Sequence, residues 1–273
     1  MATAVDSTAS EHPDGEITTE LNDHLWLMGI NRPQKYNGLT PKMFDELAAA
    51  YQELEENPDI RVGILFAHGD HFTAGLDLPK FADRFGTGED FAAADDTRVD
   101  PFNRWGRRRS KPLITAVKGI TFTAGIELML AGDVVIAADN CRLSQLEPKR
   151  GIMASGGATV RFIERGGWGN GIKLLLTGEE FDAAEAYRIG LVQEVVPLGQ
   201  ELERAIQIAQ AIAKNAPLAV QATLKNAQLY AAQGEAAAAA QFNEVNKRLA
   251  DTQDFQEGVA SFVERREANF KGR

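Results

Sequence analysis

The chain has 273 residues, 44% of them hydrophobic, and a formal net charge of −10. That length can bury one large domain or a domain with an extension, and the acidic balance argues against a general nucleic-acid binder. No run of about eighteen apolar residues offers a membrane span, and the single cysteine, Cys141, excludes an intrachain disulfide and fits a reducing cytoplasm.

Residues 1–16 predict a flexible tail, being polar and acidic without the basic and apolar regions of a secretory signal. A strand over 25–30 leads into a turn over 31–38. Thr40 and Pro41 then open a helix through Glu55, with Met43, Phe44, Leu47 and Tyr51 at helical spacing. Continuous apolar runs at Val62–Ala67, Leu113–Val117 and Val134–Ala138 predict strands covered on both faces, and 191–196 predicts another. Residues 79–111 lack a period and predict a long functional or irregular loop. Within it, 104–111 carries five cations in eight residues, either a solvated loop or a phosphate contact. Near residue 200 the pattern turns helical. A helix over 203–214 is broken by Pro217, and three more follow up to Phe270, with the alanine run 236–240 as helix filler. The division is a core over 17–200 and a helical region over 201–273.

Two glutamates stand out. Glu127 lies in Thr123-Ala124-Gly125-Ile126-Glu127-Leu128, and Glu147 in Gln145-Leu146-Glu147-Pro148-Lys149-Arg150-Gly151. A third small-residue turn, Phe72-Thr73-Ala74-Gly75-Leu76-Asp77, ends a strand region. Paired carboxylates move protons and water, and backbone N–H groups at such turns can hold a developing oxyanion. A lone glutamate is most often a solvated surface group. The apolar neighbours of Glu127 argue against that, whereas Lys149 and Arg150 offer Glu147 simple ion-pair partners. Pro148 is expected to push Glu147 into an extended conformation.

The motifs Asn31-Arg32-Pro33…Asn37-Gly38-Leu39, Phe72-Thr73-Ala74-Gly75-Leu76-Asp77-Leu78 and Ala124-Gly125-Ile126-Glu127-Leu128 resemble the crotonase, or enoyl-CoA hydratase/isomerase, superfamily in order and spacing. The ending from Phe262 to Lys271 is similar to that family's last helix, so the resemblance covers roughly 18–271. It implies an α/β fold, a spiral of ββα units with a C-terminal helical trimerisation region, assembled as trimers or hexamers. The implied activity is hydration of a 2-enoyl-CoA to a 3-hydroxyacyl-CoA, with coenzyme A part of the substrate and no metal or other cofactor. By position, Leu76 and Ala124 would supply the oxyanion N–H groups. Glu127 would hold the water and accept its proton, and Glu147 would protonate Cα. Lys35, Ala74, Leu76 and Asp77 would contact substrate or CoA, with Phe262 and Arg265 reaching in from a neighbouring subunit. The chain departs from the family pattern at Ala124, at the Leu146 and Pro148 flanks of Glu147, and at Pro79, beside Lys80.

Alternative activities include another crotonase reaction (isomerisation, hydrolysis or decarboxylation) and a non-catalytic acyl-CoA-binding module. Ser–His hydrolysis lacks a Gly-x-Ser-x-Gly elbow. The pair His68 and His71 has only Asp70 beside it for a metal, and 166–171 fails the dinucleotide spacing. Cys141 has no motif around it and reads as a packed small residue.

Overall fold

The computed structural model describes residues 12–85 and 98–273. Strand β1 (Glu16–Asn22) pairs antiparallel with β2 (Leu25–Asn31). Beyond β2 the sheet is parallel through β3 (Val62–Ala67), β4 (Leu113–Val117), β6 (Val134–Ala138) and β9 (Glu194–Val196). Parallel neighbours require crossovers, and these are helical. Helix α1 (Pro41–Glu56) links β2 to β3, and α3 (Ala124–Ala131) lies between β4 and β6. As predicted, Thr40 caps α1 by accepting from Met43 N at 3.2 Å.

The apolar strands are buried on both faces, and alternate residues go to different layers. Met28, Ile30, Leu65, Leu113 and Val117 join the core beneath α1 and α3. Leu27, Ile64, Phe66, Ile114 and Ile136 face α6 (Glu201–Ala213), whose Ala205, Ala209 and Ala213 form a small-residue stripe one turn apart. Thus α6, although beyond residue 200, seals the back of the sheet. The later helices α7 (Pro217–Gln233), α8 (Glu235–Ala239), α9 (Phe242–Ala250) and α10 (Gln253–Glu264) extend from it.

A second, smaller sheet positions the chemistry. Its strands β5 (Ile120–Phe122) and β7 (Arg142–Ser144) are parallel, with β8 (Phe181–Asp182) antiparallel to β7. Phe122 pairs with Ser144, so the chain leaves both strands at the same edge. One exit opens α3 and carries Glu127; the other leads within three residues to Glu147. The remaining elements are α2 (Leu78–Phe85), α4 (Ala158–Thr177, kinked at Gly167) and α5 (Ala183–Arg188).

Several expectations are corrected. Leu191 and Val192 are buried but outside a strand, because their N–H groups turn back to Ala186 O; β9 starts only at Glu194. Four helices, not three, follow Pro217, which opens α7 rather than only ending α6. The last helix stops at Glu264, where Arg265 adopts a left-handed φ of 56°, and the tail folds back so that Lys271 N and Gly272 N donate to Asp254. The expected loop over 79–111 begins as helix α2, and 86–97 lies outside the described residues. Of the expected tail, 1–11 also lies outside them, while Pro13 O, Asp14 O and Gly15 O accept from Arg32, Thr40 and Lys42. The basic run is mostly internal scaffolding. Arg109 is buried and forks onto Asp133 at 2.6 and 3.1 Å, Lys111 donates to Asn57 O, and Arg107 pairs with Glu56.

Candidate active site

Three turns meet around one cavity of about 220 Å³, lined among others by Ala74, Leu76, Ala124, Glu127 and Glu147. Their meeting is a backbone matter. Thr73 bridges to Thr121 of β5, its N–H donating to Ile120 O and its carbonyl accepting from Phe122 N. Its hydroxyl donates to Asn37 O at 2.6 Å and accepts from Gly75 N at 3.0 Å. On the other side, Thr123 N donates to Ser144 O at 2.9 Å. The turn before Leu76, the turn before Ala124 and the strand before Glu147 are therefore one hydrogen-bonded weave.

Close packing tightens it. Gly75 has φ +100°, and a Cβ there would collide with Thr123 Oγ1. Thr123 itself sits at φ 52°, ψ −121°, a strained conformation for a β-branched residue, directly before Ala124. Among the described residues, neither Leu76 N–H nor Ala124 N–H has a hydrogen-bond acceptor. Ala124 opens α3, where early N–H groups have no intrahelical partner. Two unpaired donors beside a cavity form a place for a negatively charged oxygen.

Glu127 is 4% exposed on a helix whose eight residues are all buried. Its Oε1 accepts from Ala158 N at 3.1 Å, and Gly156 N also donates to the carboxylate. The opening turn of α4 thus faces it with N–H groups and the positive end of a helix. Burial nevertheless wins, with Glu147 adding repulsion, and its pKa rises to about 7. Glu147 is 7% exposed, and burial lifts its carboxyl above the ordinary range. Its Oε2 has no hydrogen-bond partner among the described residues.

Two expectations about Glu147 fail. It is not extended but opens a 3-10 turn, Glu147–Arg150, held by Lys149 N to Leu146 O at 3.0 Å; Pro148 fits because its missing N–H has no role at that point of the turn. Nor does either following cation pair with it: Lys149 Nζ donates to Gly178 O at 2.6 Å, and Arg150, among the described residues, donates to Lys149 O.

Ala74 and Leu76 line the cavity. Asp77 does not; it pairs with Arg32 at 2.8 Å, fixing the 31–38 turn. Lys35 is exposed at the end of a short 3-10 turn, Pro33–Lys35. Phe262 (85% exposed) and Arg265 lie at the end of α10 and do not line the cavity. Lys80 pairs with Asp14. His68 bonds Thr18 and His71 accepts from Ile120 N; no cluster of three or more His, Cys, Asp or Glu among the described residues could hold a metal. Cys141 is buried, its thiol donating to Val117 O, and burial pushes its pKa up to about 12.

Sequence reasoning missed the supports. Asn37 donates to His68 O and His71 O while accepting from Arg32 N, and its φ of 54° is the left-handed conformation that an Asn-Gly pair signals. Arg161 is buried behind Glu127 and donates to Phe102 O at 2.6 Å, tying another wall of the cavity to α4. Nothing local in the sequence signals that bond.

Comparison with known proteins gives the family. The family model described as enoyl-CoA hydratase/isomerase matches residues 20–273. An enoyl-CoA hydratase of Mycobacterium tuberculosis is 34% identical over 98% of this chain and 100% of its own. A 2,3-dehydroadipyl-CoA hydratase of Escherichia coli is 35% identical over 94% and 99%. The crystal structure of a probable enoyl-CoA hydratase/isomerase from Mycobacterium abscessus superposes with a TM-score of 0.90 at 44% identity, covering 94% of this chain and 98% of that one. Among the described residues, no helix is long and apolar enough to cross a membrane. The fold is the crotonase fold, and the chain belongs to the enoyl-CoA hydratase/isomerase family.

Proposed function

We propose that this protein is an enoyl-CoA hydratase, adding water across the double bond of a 2-enoyl-CoA. The observation that carries the reading is two buried carboxylates lining one cavity with two unpaired backbone N–H groups. In this reading the thioester oxygen sits between Leu76 N–H and Ala124 N–H. Glu127, with a pKa of about 7, is suited to take a proton from water as its oxygen bonds to Cβ. The electron pair of the double bond moves to the thioester oxygen as an enolate, which the two N–H groups stabilise. Collapse of the enolate takes a proton at Cα from Glu147, whose raised pKa favours the protonated form. Glu127 ends with one proton more and Glu147 with one fewer, and proton exchange with water resets both.

Coenzyme A is part of the substrate here, and no other cofactor enters the step. Ala74 and Lys35 would contact the CoA moiety, with Phe262 and Arg265 supplied by a neighbouring subunit. Trimers, or hexamers of two trimers, would cover the exposed apolar side chains Phe255, Val259, Phe262 and Val263 of α10. Degradation of fatty or related acyl-CoAs in the cytoplasm is the fitting role. The test is incubation of the purified protein with 2-enoyl-CoAs, following loss of the conjugated absorbance and product mass. Gain of one water at Cβ is the expected result. An isomerised, hydrolysed or decarboxylated product, or no conversion, would overturn it.

A further inference from the structure

Among the described residues, three ionisable side chains line the cavity: Glu127, Glu147 and Arg150. The first two have their place in the proton transfers. Arg150 does not, and its setting is unusual. It stands three residues after Glu147 in a 3-10 turn, where side chains at that spacing eclipse one another. A salt bridge is the ordinary outcome of such a pair, yet none forms. Among the described residues Glu147 Oε2 is left without a partner, and Arg150 makes one long hydrogen bond of 3.3 Å, to the adjacent Lys149 carbonyl. Among the described residues no carboxylate neutralises Arg150. The other cations of the two turns are spoken for: Lys149 by Gly178 O and Arg161 by Phe102 O.

The side chain is thus an exposed, five-donor fork at the cavity wall with no carboxylate partner among the described residues. Its cavity neighbours Ile152 and Met153 are apolar. An acyl chain whose reacting carbons lie at the glutamates shares this cavity with apolar side chains and one guanidinium. A purely hydrocarbon tail has no use for that charge; a terminal carboxylate pairs with it bidentately.

We propose that Arg150 recognises a carboxylate at the far end of the acyl chain, making short dicarboxylyl-CoA thioesters the preferred substrate class. This rests on the hydratase reading for the orientation of the acyl chain. The chemistry is a specificity contact and adds no step to the hydration.

The test measures dissociation constants of two inert saturated thioesters, hexanoyl-CoA and adipyl-CoA, for the wild-type protein and for Arg150→Leu. The quantity read is the preference for adipyl-CoA over hexanoyl-CoA. Removing the guanidinium is expected to lower that preference about threefold to tenfold, as befits an exposed but bidentate ion pair. An unchanged preference would overturn the proposal. Arg150→Gln, which keeps a polar side chain at the same exposed site, serves the same comparison should the leucine variant fold poorly. Turnover of 2-hexenoyl-CoA and 2-hexenedioyl-CoA is followed separately. Hydration of neither would sink the hydratase reading, while the binding ratio still decides the role of Arg150.

Discussion

The two glutamates sit on unlike supports. Glu127 rides on α3, a helix with every residue buried, and the opening N–H groups of α4 bind its carboxylate. Glu147 rides on one 3-10 turn whose next three residues are exposed, with one carboxylate oxygen unpartnered among the described residues. The first is a fixed group with its protonation set by burial against donors; the second is a buried group with one oxygen uncommitted among the described residues. A base that must hold water benefits from fixed geometry, and an acid that must reach a carbon benefits from an uncommitted oxygen.

The largest effect should come from Glu127→Gln, which keeps the shape and removes the proposed base. Turnover is expected to fall about 10³- to 10⁴-fold in a steady-state assay, and activity close to wild type would break the comparison at its root. Glu147→Gln is expected to fall about 10²- to 10³-fold while acyl-CoA binding is retained; turnover near the wild-type level would remove Glu147 from the mechanism.

Two glycines sharpen the contrast. A Cβ at Gly156 would lie 2.5 Å from Glu127 Oε2 and 2.9 Å from Phe102 Cδ1. Gly156→Ala should therefore cost about 10- to 100-fold in kcat by displacing the fixed carboxylate. A Cβ at Gly151, which ends the Glu147 turn, meets nothing within 4 Å, so only its φ of +73° resists. Gly151→Ala should lower stability by about 1 kcal/mol in denaturant melts and change turnover much less. Equal activity losses in the two variants would mean the supports are alike.

Smallest in rate terms, but distinct in sign, is the pH dependence. Because the folded-state pKa of Glu127 stands near 7, above the ordinary carboxyl value of 4.5, folding favours its protonated form. The stability that this contributes is complete below the unfolded pKa and is lost as pH rises through about 7. Glu127→Gln abolishes that loss, so above pH 7 the variant should gain on the wild type, by an amount on the order of 1–3 kcal/mol. The wild-type rate should show an acid limb near the same pH, since the base must be ionised. Parallel melting curves across pH 5–8 would show that burial does not set the Glu127 protonation.

Much of this was legible in the sequence. Runs such as Val62–Ala67 declare strands covered on both faces, and Thr40 with Pro41 declares a helix start, because each rests on local chemistry. The motifs around Gly75, Ala124 and Glu127 marked the cavity. The failures came where a distant partner decides. Arg109 reads as a solvated charge until Asp133 is placed against it. Glu147 reads as extended before Pro148 because the pre-proline preference is weaker than a turn closed at both ends. Leu191 and Val192 read as strand because burial alone does not distinguish a strand from a packed loop. Thr73, which organises the site, bonds across 36 residues and leaves no periodic trace.

The weave through Thr73 separates two properties that a binding pocket usually mixes. Leu76 and Ala124 would contribute through main-chain atoms, and their separation is set by strand pairing and by the Gly75–Thr123 contact. Side chains at Arg150, Ile152 and Met153 can be exchanged without touching that pairing. Selection can therefore revise which acyl group is accepted while the activation of the thioester is inherited unchanged.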